Sequence, residues 1–249
     1  MTTTPQLRRL ALGATFNLRD VGGYPLTEGL QTKWGLLFRS DAPRVNGGPE
    51  MMRLGLQTVV DLRDDTERDL LPTGLDAVVP SVRHRPLDPR SLMSESAEPG
   101  DDPLGDLYVA LIRERGEQLA EIVSDLARPG ALPALVHCAA GKDRTGVVLA
   151  LVLSAIGVPD DVVAGDYALT ADYLTAEFFE TVPAQAGAAH PAAEEFRGAE
   201  SRSMTAMLRV LNAEYGGATA YLGAHGVPAA DLDGLRAALT CPAPSATTH

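Results

Sequence analysis

Short apolar runs alternate with helical patterns along the first two-thirds of the chain. The run at 57–62 is typical of a buried strand, 34–39 and 81–87 are further strand candidates, and 134–137 is a short apolar run. Patterns that predict helices separate them, at 49–54, 64–71 and 104–127, and the last has its apolar residues on one face. This alternation favours an α/β fold whose central, mostly parallel sheet is flanked by helices.

Helical patterns dominate the last third of the chain. They predict helices at 145–156, 159–168, 171–215 and 231–239. The pattern of 171–215 is broken near Pro183 and Gly187 and has two interpretations. It is either ordinary core packing or a lid over a binding pocket, with a hinge at the breaks.

The chain shows no internal repeat and no clear linker. We therefore expect one domain over 1–249, with a helical C-terminal elaboration. Residues 1–15 are predicted to form a loose arm, and 241–249 a frayed tail.

Composition and charge narrow the class of partner. The 249 residues are 45% hydrophobic and 22% charged, which is enough to bury a core without disulfides or metals. Thirty-three Asp and Glu against 21 Lys and Arg give a net charge of -12, which disfavours nucleic acid and anionic membranes. The longest apolar run, Val147 to Ile156, is shorter than the roughly 20 residues of a membrane span, so we expect no stable membrane insertion.

The two cysteines, Cys138 and Cys241, do not form a disulfide framework and indicate a reduced, cytoplasmic protein. The apolar stretch after Arg8 and Arg9 ends near Asn17, too early for a secretory signal. An export route without a signal would leave no trace of this kind. The sequence carries no indication of the oligomeric state.

One segment combines chemistry with a defined local geometry. Residues 137–146, His-Cys-Ala-Ala-Gly-Lys-Asp-Arg-Thr-Gly, lie between a buried strand and a helix. In such a turn, successive backbone N–H groups form an anion-sized nest, and the helix adds the positive end of its dipole. Gly141 relaxes the backbone, and Arg144 offers a planar fork for two phosphate oxygens.

Cys138 lies at the floor of this predicted nest. The field that binds a dianion also favours the thiolate, which is the nucleophilic form of cysteine. Such a thiolate supports in-line attack on phosphorus and a cysteinyl-phosphate intermediate. The Thr145 hydroxyl is placed to hydrogen-bond the thiolate and ease its departure, and Lys142 adds a positive charge beside the loop.

The segment resembles the signature loop of the cysteine-dependent protein-tyrosine phosphatase superfamily, which is His-Cys, five residues, Arg, then Ser or Thr. Its Gly-Lys-Asp-Arg-Thr-Gly variant looks like that of the atypical bacterial tyrosine phosphatases. Two further stretches are similar to motifs of that family. One is Asn17 to Tyr24 together with Leu37 to Ser40, and the other is Val59 to Arg63 together with Glu67. The resemblance covers about residues 14–175.

The resemblance implies roles for individual residues. Cys138 becomes the nucleophile, Arg144 the phosphate clamp, and His137 the residue that orients and tunes the thiol. The backbone that cradles the phosphate becomes Ala139, Ala140, Gly141, Lys142, Asp143 and Arg144. The expected substrate is a phosphotyrosine protein or peptide. Some members of the resembled family also accept phosphoserine, phosphothreonine or phosphoinositides, and Lys142 leaves room for a more highly phosphorylated ligand.

The general acid has two main candidates. Asp143 lies inside the loop beside Arg144 and is the first choice. Asp88 is the alternative, because it follows the third predicted strand, where the superfamily's mobile acid loop would fall. The remaining candidates are Asp61, Asp64 and Asp101.

No metal or organic cofactor is expected. The remaining histidines and Cys241 do not form the recurring spacing of a zinc site; they are His84, His190, His225 and His249. Arg19 and Asp20 are interpreted mainly as a turn salt bridge, with a buttress of the active-site loop as the lesser alternative. The same lesser role is open to Arg63.

Two other function classes compete with a phosphatase. The first is a non-catalytic reader of phosphorylated ligands, which would usually have lost the cysteine or the arginine. The second is a sulfurtransferase or arsenate reductase, since these enzymes also set a cysteine in an anion loop. His137 and the Thr-Gly after Arg144 favour the phosphatase.

Overall fold

The structure, a computed structural model, describes residues 8–12, 15–92, 101–182 and 198–244. Its strands are β1 (Arg19–Asp20), β2 (Leu30–Thr32), β3 (Leu37–Ser40), β4 (Thr58–Asp61), β5 (Ser81–His84), β6 (Ala134–His137) and β7 (Thr240–Pro242). Its first helices are α1 (Gly48–Met51), α2 (Asp65–Leu70), α3 (Pro103–Glu114), α4 (Gly116–Ala127) and α5 (Asp143–Ile156). The others are α6 (Asp160–Ala168), α7 (Thr170–Tyr173), α8 (Ala176–Thr181), α9 (Ser201–Tyr215), α10 (Ala218–Ala224) and α11 (Ala229–Leu239).

A five-stranded sheet with the order β1-β3-β6-β4-β5 forms the centre of the fold. The pairs β3–β6, β6–β4 and β4–β5 are parallel, whereas β1 is antiparallel to β3 at one edge. Helices cover the sheet, so the predicted α/β class is confirmed. The order places the carboxyl ends of β3 and β4 on either side of the carboxyl end of β6.

Side chains of the central strands alternate between two hydrophobic clusters, as the pleat of a strand requires. Leu37, Val60 and Val136 belong to the larger cluster, which includes α3, α4, α5 and the C-terminal helices. Phe38, Val59 and Leu135 point to a smaller cluster that includes Met51 of α1. The continuous apolar runs in the sequence therefore reflect strands that are buried on both faces.

The single helix expected over 104–127 is in fact two helices, α3 and α4. The break lies at Arg115, whose backbone (φ -124°, ψ 26°) is not helical. Gly116 follows it, and a Cβ at this position would come within 2.2 Å of the His225 ring. The apolar spacing does not reveal the break, because its cause is a contact with a residue more than one hundred positions away.

Both predictions for the chain ends need correction. Part of the expected loose arm is bound to the edge of the sheet: Arg9 bridges Arg19, and the Leu10 N–H donates to the Leu18 carbonyl at 3.1 Å. Cys241, expected in a frayed tail, lies in β7, which pairs with β2. In both cases a strand only two or three residues long is stabilised by its partner and not by its own pattern.

The interval 171–215 contains α7, α8 and α9. Pro183 and Gly187, the expected breaks, lie outside the described residues, as does His190. The lid and the single domain therefore stay predictions. None of the helices within the described ranges has both the length and the apolar character needed to cross a bilayer.

The tight contact at Gly116 predicts the effect of a single methyl group. We expect Gly116→Ala to destabilise the protein by about 1–3 kcal/mol, since the new Cβ meets an imidazole held against Tyr221. Gly165→Ala is the matched control, because a Cβ there has no neighbour within 4 Å. As a helical Gly→Ala change it should be neutral or stabilise by up to about 1 kcal/mol. Urea unfolding of both variants measures the difference; equal effects would contradict the packing argument.

Candidate active site

Residues 138–144, hereafter the signature loop, connect β6 to α5 at the carboxyl end of the sheet. The loop packs on the ends of the neighbouring strands, where the Ala42 N–H donates to the Ala139 carbonyl at 3.0 Å. Gly141 has φ +65°, and a Cβ here would lie 2.3 Å from the carbonyl group of Ser40. Only glycine fits this position, because both its backbone conformation and its contact with β3 exclude a side chain.

Cys138 lies on the inner face of the signature loop and is only 2% exposed. Its Sγ accepts the Gly141 N–H at 3.2 Å. Helix α5 begins at Asp143, so its positive dipole end lies at the loop. The backbone donor and the helix terminus both stabilise negative charge at the sulfur or at an anion bound beside it.

Arg144, in the first turn of α5, is held by a buried carboxylate. Its two terminal nitrogens donate to the two Glu67 oxygens, each at 2.6 Å. Glu67 is fixed in turn by a capping box with Asp64 at the start of α2. A guanidinium has two bidentate edges. Glu67 occupies the terminal one, and the edge formed by Nε and Nη2 is the one suited to a phosphate.

The outer face of the loop contacts a second set of buried residues, Asn17, Arg19, Arg39 and Asp166, which we call the outer-face cluster. The Asn17 amide donates to the carbonyls of Ala140 (2.9 Å) and Gly141 (3.1 Å). Arg39 donates to the Gly141 carbonyl at 2.7 Å and more weakly to that of Lys142 at 3.4 Å. These residues grip the loop from behind.

Asp166 of α6 holds the two arginines of this cluster. Its carboxylate pairs with Arg19 Nε at 3.1 Å and with Arg39 Nη1 at 2.5 Å, and accepts the Tyr24 hydroxyl at 2.7 Å. Burial by itself would raise the pKa of Asp166, but Arg19 and Arg39 outweigh it and hold that pKa well below the usual range. Asp166 is therefore a permanent carboxylate.

The predicted salt bridge between Arg19 and Asp20 is wrong. Successive residues of a strand point to opposite faces, so these two side chains diverge. Arg19 turns to Asp166, whereas Asp20 accepts the N–H groups of Gly22 (2.7 Å) and Gly35 (2.6 Å). The lesser alternative, in which Arg19 buttresses the loop, agrees with the observed contacts.

His137 lies behind the loop and is fully buried. Its Nδ1 is 3.2 Å from the Cys138 carbonyl oxygen, and its Nε2 is 3.8 Å from Asp61. Burial lowers the pKa of His137, an effect that Asp61 partly opposes. Asp61 pairs with Arg63 at 2.8 Å, so Arg63 acts through Asp61 and not on the loop. Because the imidazole next to the loop is largely neutral, the positive field there comes from the arginines and the backbone N–H groups.

Thr145 does not make the hydrogen bond that the sequence suggests. Its Oγ1 is buried in the first turn of α5 and has no hydrogen-bond partner among the described residues, whereas Cys138 Sγ accepts Gly141. In this structure the backbone of the loop, which curls over the sulfur, supplies the donor. An effect of Thr145 on the departing thiolate stays a prediction.

Asp143 and Asp88 lie in different surroundings. Asp143 accepts a hydrogen bond from Tyr108 of α3 and has Lys142 Nζ at 3.5 Å. Tyr108 has a single proton, so it must accept from Tyr167 at 2.7 Å. Asp88 instead borders a cavity of about 530 Å³ at the α3–α4 junction, lined by Pro86, Arg113, Glu114, Arg115, Gly116, Glu117, Gln118 and His225. That junction begins more than one helical turn beyond Tyr108.

The other acid candidates lie in a salt bridge or at the start of a helix. Asp61 is bound to Arg63, and Asp64 caps α2. Asp101 immediately precedes Asp102, which caps α3. Within the described ranges, no three His, Cys, Asp or Glu side chains come together as metal ligands would.

Several residues of the site had weak or no sequence signals. Asn17, Arg39 and Glu67 lie in the supporting motifs, but their contacts with the loop were not predicted. Asp166 and Tyr108 had no motif at all. Only the structure reveals Asp166, a buried carboxylate of α6 that requires a partner.

Asp41 predicts a pH-dependent stability. Its carboxylate accepts the backbone N–H groups of Phe16 (3.0 Å) and Asn17 (2.8 Å), and burial raises its pKa to about 6. This folded value exceeds the unfolded value of about 3.9. The folded protein therefore binds more protons than the unfolded chain between about pH 4 and 6, and the contribution of Asp41 to stability falls as pH rises through that window.

Asp41→Asn cannot titrate. Relative to the parent, it should gain on the order of 2 kcal/mol of stability between about pH 4 and pH 7, as measured by urea unfolding at several pH values. Other titrating groups contribute equally to the stability of both proteins, so the difference between the two pH profiles reports Asp41 alone. Parallel profiles would show that Asp41 does not titrate in this window.

Comparison with known proteins identifies the family. The sequence profile of the tyrosine phosphatase family matches residues 10–241. A tyrosine-protein phosphatase of Nostoc commune is 32% identical over 145 residues, which are 55% of this chain and 49% of the Nostoc protein. A Cupriavidus necator protein, provisionally named a tyrosine-protein phosphatase, is 29% identical over 238 residues, 86% of this chain and 82% of that protein.

A third relative is the triple specificity protein phosphatase PtpB of Mycobacterium tuberculosis. It is 32% identical over 190 residues, 63% of this chain and 67% of PtpB. The match to the Nostoc protein covers about half of that protein's length. The family profile, in contrast, spans nearly the whole of this sequence. The chain therefore belongs to the tyrosine phosphatase family.

Proposed function

We propose that the protein hydrolyses phosphomonoesters, with phosphotyrosine as the first substrate, through a cysteinyl-phosphate intermediate on Cys138. The observation that carries this proposal is the meeting of three features in one loop. Cys138 Sγ faces an inward N–H of Gly141, and the loop leads directly into α5, where Glu67 holds Arg144. Together they favour a thiolate and a bound dianion at the same place.

In the first step, the Cys138 thiolate attacks phosphorus, so that a sulfur–phosphorus bond forms as the bond to the leaving oxygen breaks. The inward N–H groups and Arg144 stabilise charge on the three equatorial oxygens. Asp143 gives its proton to the leaving oxygen. Tyr108 and Lys142 then stabilise the carboxylate that remains.

In the second step, water replaces sulfur on phosphorus. Asp143 accepts a proton from the attacking water, the sulfur–phosphorus bond breaks, and the electron pair returns to Cys138 as thiolate. Inorganic phosphate leaves, and the enzyme is restored with all protons accounted for. His137, which contacts the Cys138 carbonyl, is assigned to orient the nucleophile and takes no part in proton transfer.

The apolar surroundings of the loop support an aromatic substrate. Ala139 and Ala140 pack with Leu174, Phe178 and Val182, and this cluster is bordered by the partly buried Phe16, Leu71 and Phe179. The partly buried rings at its border, Phe16 and Phe179, suit the ring of phosphotyrosine better than a short aliphatic phosphate. The resemblance to the family makes phosphoserine, phosphothreonine and phosphoinositides the second group of candidate substrates, and the triple specificity in the name of one relative agrees with a range wider than phosphotyrosine. The unpaired cysteines keep the cytoplasm as the expected compartment.

The first test is phosphate release from an aryl phosphate in the presence of a metal chelator. We expect activity in the parent and none in Cys138→Ser, because serine lacks a stable anion at neutral pH. Phosphate binding without turnover in both proteins would favour the reader. Sulfane transfer from thiosulfate, or reduction of arsenate, without phosphatase activity would favour the other alternative.

A second test separates Asp143 from Asp88. Asp143→Asn should flatten the basic limb of the pH–rate profile, and should slow phenyl phosphate more than nitrophenyl phosphate, since the poorer leaving group depends more on the proton. Asp88→Asn is the matched control and should keep both properties. The opposite result would assign the acid to Asp88.

A third test concerns Arg144, the proposed phosphate clamp, and the Glu67 carboxylate that holds it. Glu67→Gln should reduce kcat/KM at least tenfold and destabilise the fold by about 3 kcal/mol, because it removes the charge that faces buried Arg144. Glu214→Gln is its control: Glu214 also binds an arginine, Arg113, with both oxygens, but at an exposed position. It should leave activity unchanged. Normal kcat/KM in Glu67→Gln would contradict the assigned role.

A further inference from the structure

We propose that the outer-face cluster sets the direction of the N–H groups in the signature loop, and thereby its affinity for a tetrahedral oxyanion. Asn17 and Arg39 are the positioning residues, and Arg19 and Asp166 hold them. The inference rests on the proposed function, because it takes the loop to be the site of the substrate's phosphate.

The geometry of the peptide bond links the outer and inner faces of the signature loop. In a trans peptide the carbonyl and the next residue's N–H point in opposite directions. Donors outside the loop bind four successive carbonyls, those of Ala139, Ala140, Gly141 and Lys142. The N–H groups of residues 140–143 must then point to the other side. That side holds Cys138, whose sulfur accepts the Gly141 N–H.

Arg19 fixes the orientation of the Asn17 amide. An asparagine can present either its oxygen or its NH₂ group to a neighbour. Arg19 donates to the Asn17 Oδ1, and a guanidinium has no acceptor, so the oxygen must face Arg19. The NH₂ group is thereby directed to the carbonyls of Ala140 and Gly141, which lie 2.9 and 3.1 Å away.

The charges of the outer-face cluster also act on the loop. The buried Asp41 carboxylate lies beside Asn17. Arg19 and Arg39, which are 0% and 1% exposed, share the single carboxylate of Asp166, so these three side chains together carry one net positive charge. Arg39 applies it directly to the Gly141 carbonyl at 2.7 Å. A cation on the carbonyl polarises the peptide and strengthens its N–H as a donor on the opposite side.

Within the described residues, these side chains bind the two carbonyls that receive no backbone donor. The outer bonds to Ala139 and Lys142 include backbone donors, from Ala42 and Gly146. Among the described residues, the donors to the Ala140 and Gly141 carbonyls are Asn17 and Arg39. Removing these side chains therefore frees the two central peptides of the loop to rotate, while the loop ends stay fixed.

The test measures binding separately from turnover. In the Cys138→Ser background, calorimetry with tungstate should show at least tenfold weaker binding when Asn17→Leu is added. In the protein that retains Cys138, the same substitution should lower kcat/KM by a similar factor. Leucine keeps the branching and the number of side-chain heavy atoms of asparagine but cannot donate.

Asp125→Asn is the control for general destabilisation. Asp125 is also a buried carboxylate, paired with Arg85 at 2.7 Å, and it belongs to α4, not to the loop or its supports. It should lower the unfolding midpoint without changing tungstate affinity. If Asn17→Leu does not fold, Tyr24→Phe replaces it. This change removes only the 2.7 Å bond to Asp166 and should weaken tungstate binding in the same direction, by a smaller factor.

The outcomes separate this inference from the proposed function. A folded Asn17→Leu protein with undiminished tungstate affinity, or an unchanged Tyr24→Phe where Asn17→Leu fails to fold, overturns the inference and leaves the phosphatase intact. A parent that neither binds tungstate nor releases phosphate overturns both. Weaker binding in Asn17→Leu, with Asp125→Asn unchanged, supports the inference.

Discussion

A peptide bond cannot direct its N–H toward an anion without sending its carbonyl the other way. The signature loop needs several such N–H groups at one point, and it therefore produces a row of carbonyls on its outer face. In a buried loop each of these carbonyls requires a donor. Residues near the loop supply these donors: Ala42 just after β3, Asn17 before β1, and Arg39 within β3.

The same requirement explains how an acidic protein holds a concentrated positive field. The chain has a net charge of -12, yet four of its arginines are almost completely buried near the loop: Arg19, Arg39, Arg63 and Arg144. Each has a buried carboxylate partner in Asp166, Asp61 or Glu67. These pairs restrain the arginines, and Arg19 and Arg39 share the one carboxylate of Asp166 behind the loop. Net charge alone would not reveal this arrangement.

The sequence predicted the elements that carry strong local signals and failed where distant contacts decide. The strands β3, β4 and β6 were predicted in buried runs that reflect burial on both faces, and the partly buried edge strand β5 was predicted within 81–87. The strands β1, β2 and β7 were missed, since two or three residues carry no periodicity. The helix over 104–127 was predicted without its break, which depends on His225 against Gly116. Family membership was predicted from ten residues, and the comparison confirms it.

The sequence by itself determined the class of the fold, the family and the local order of the signature loop, because those follow from periodicity and from residue types at fixed spacing. It also placed Cys138, Asp143 and Arg144 in one loop between a strand and a helix. Only the tertiary structure decided which distant residues orient that loop. Asp166 is separated from Arg19 by 147 positions and Glu67 from Arg144 by 77, so no local pattern links them. Glu67 and Arg144 meet because the neighbouring parallel strands β4 and β6 end at one edge of the sheet, and the buried charges of Arg19 and Asp166 meet because each requires a partner.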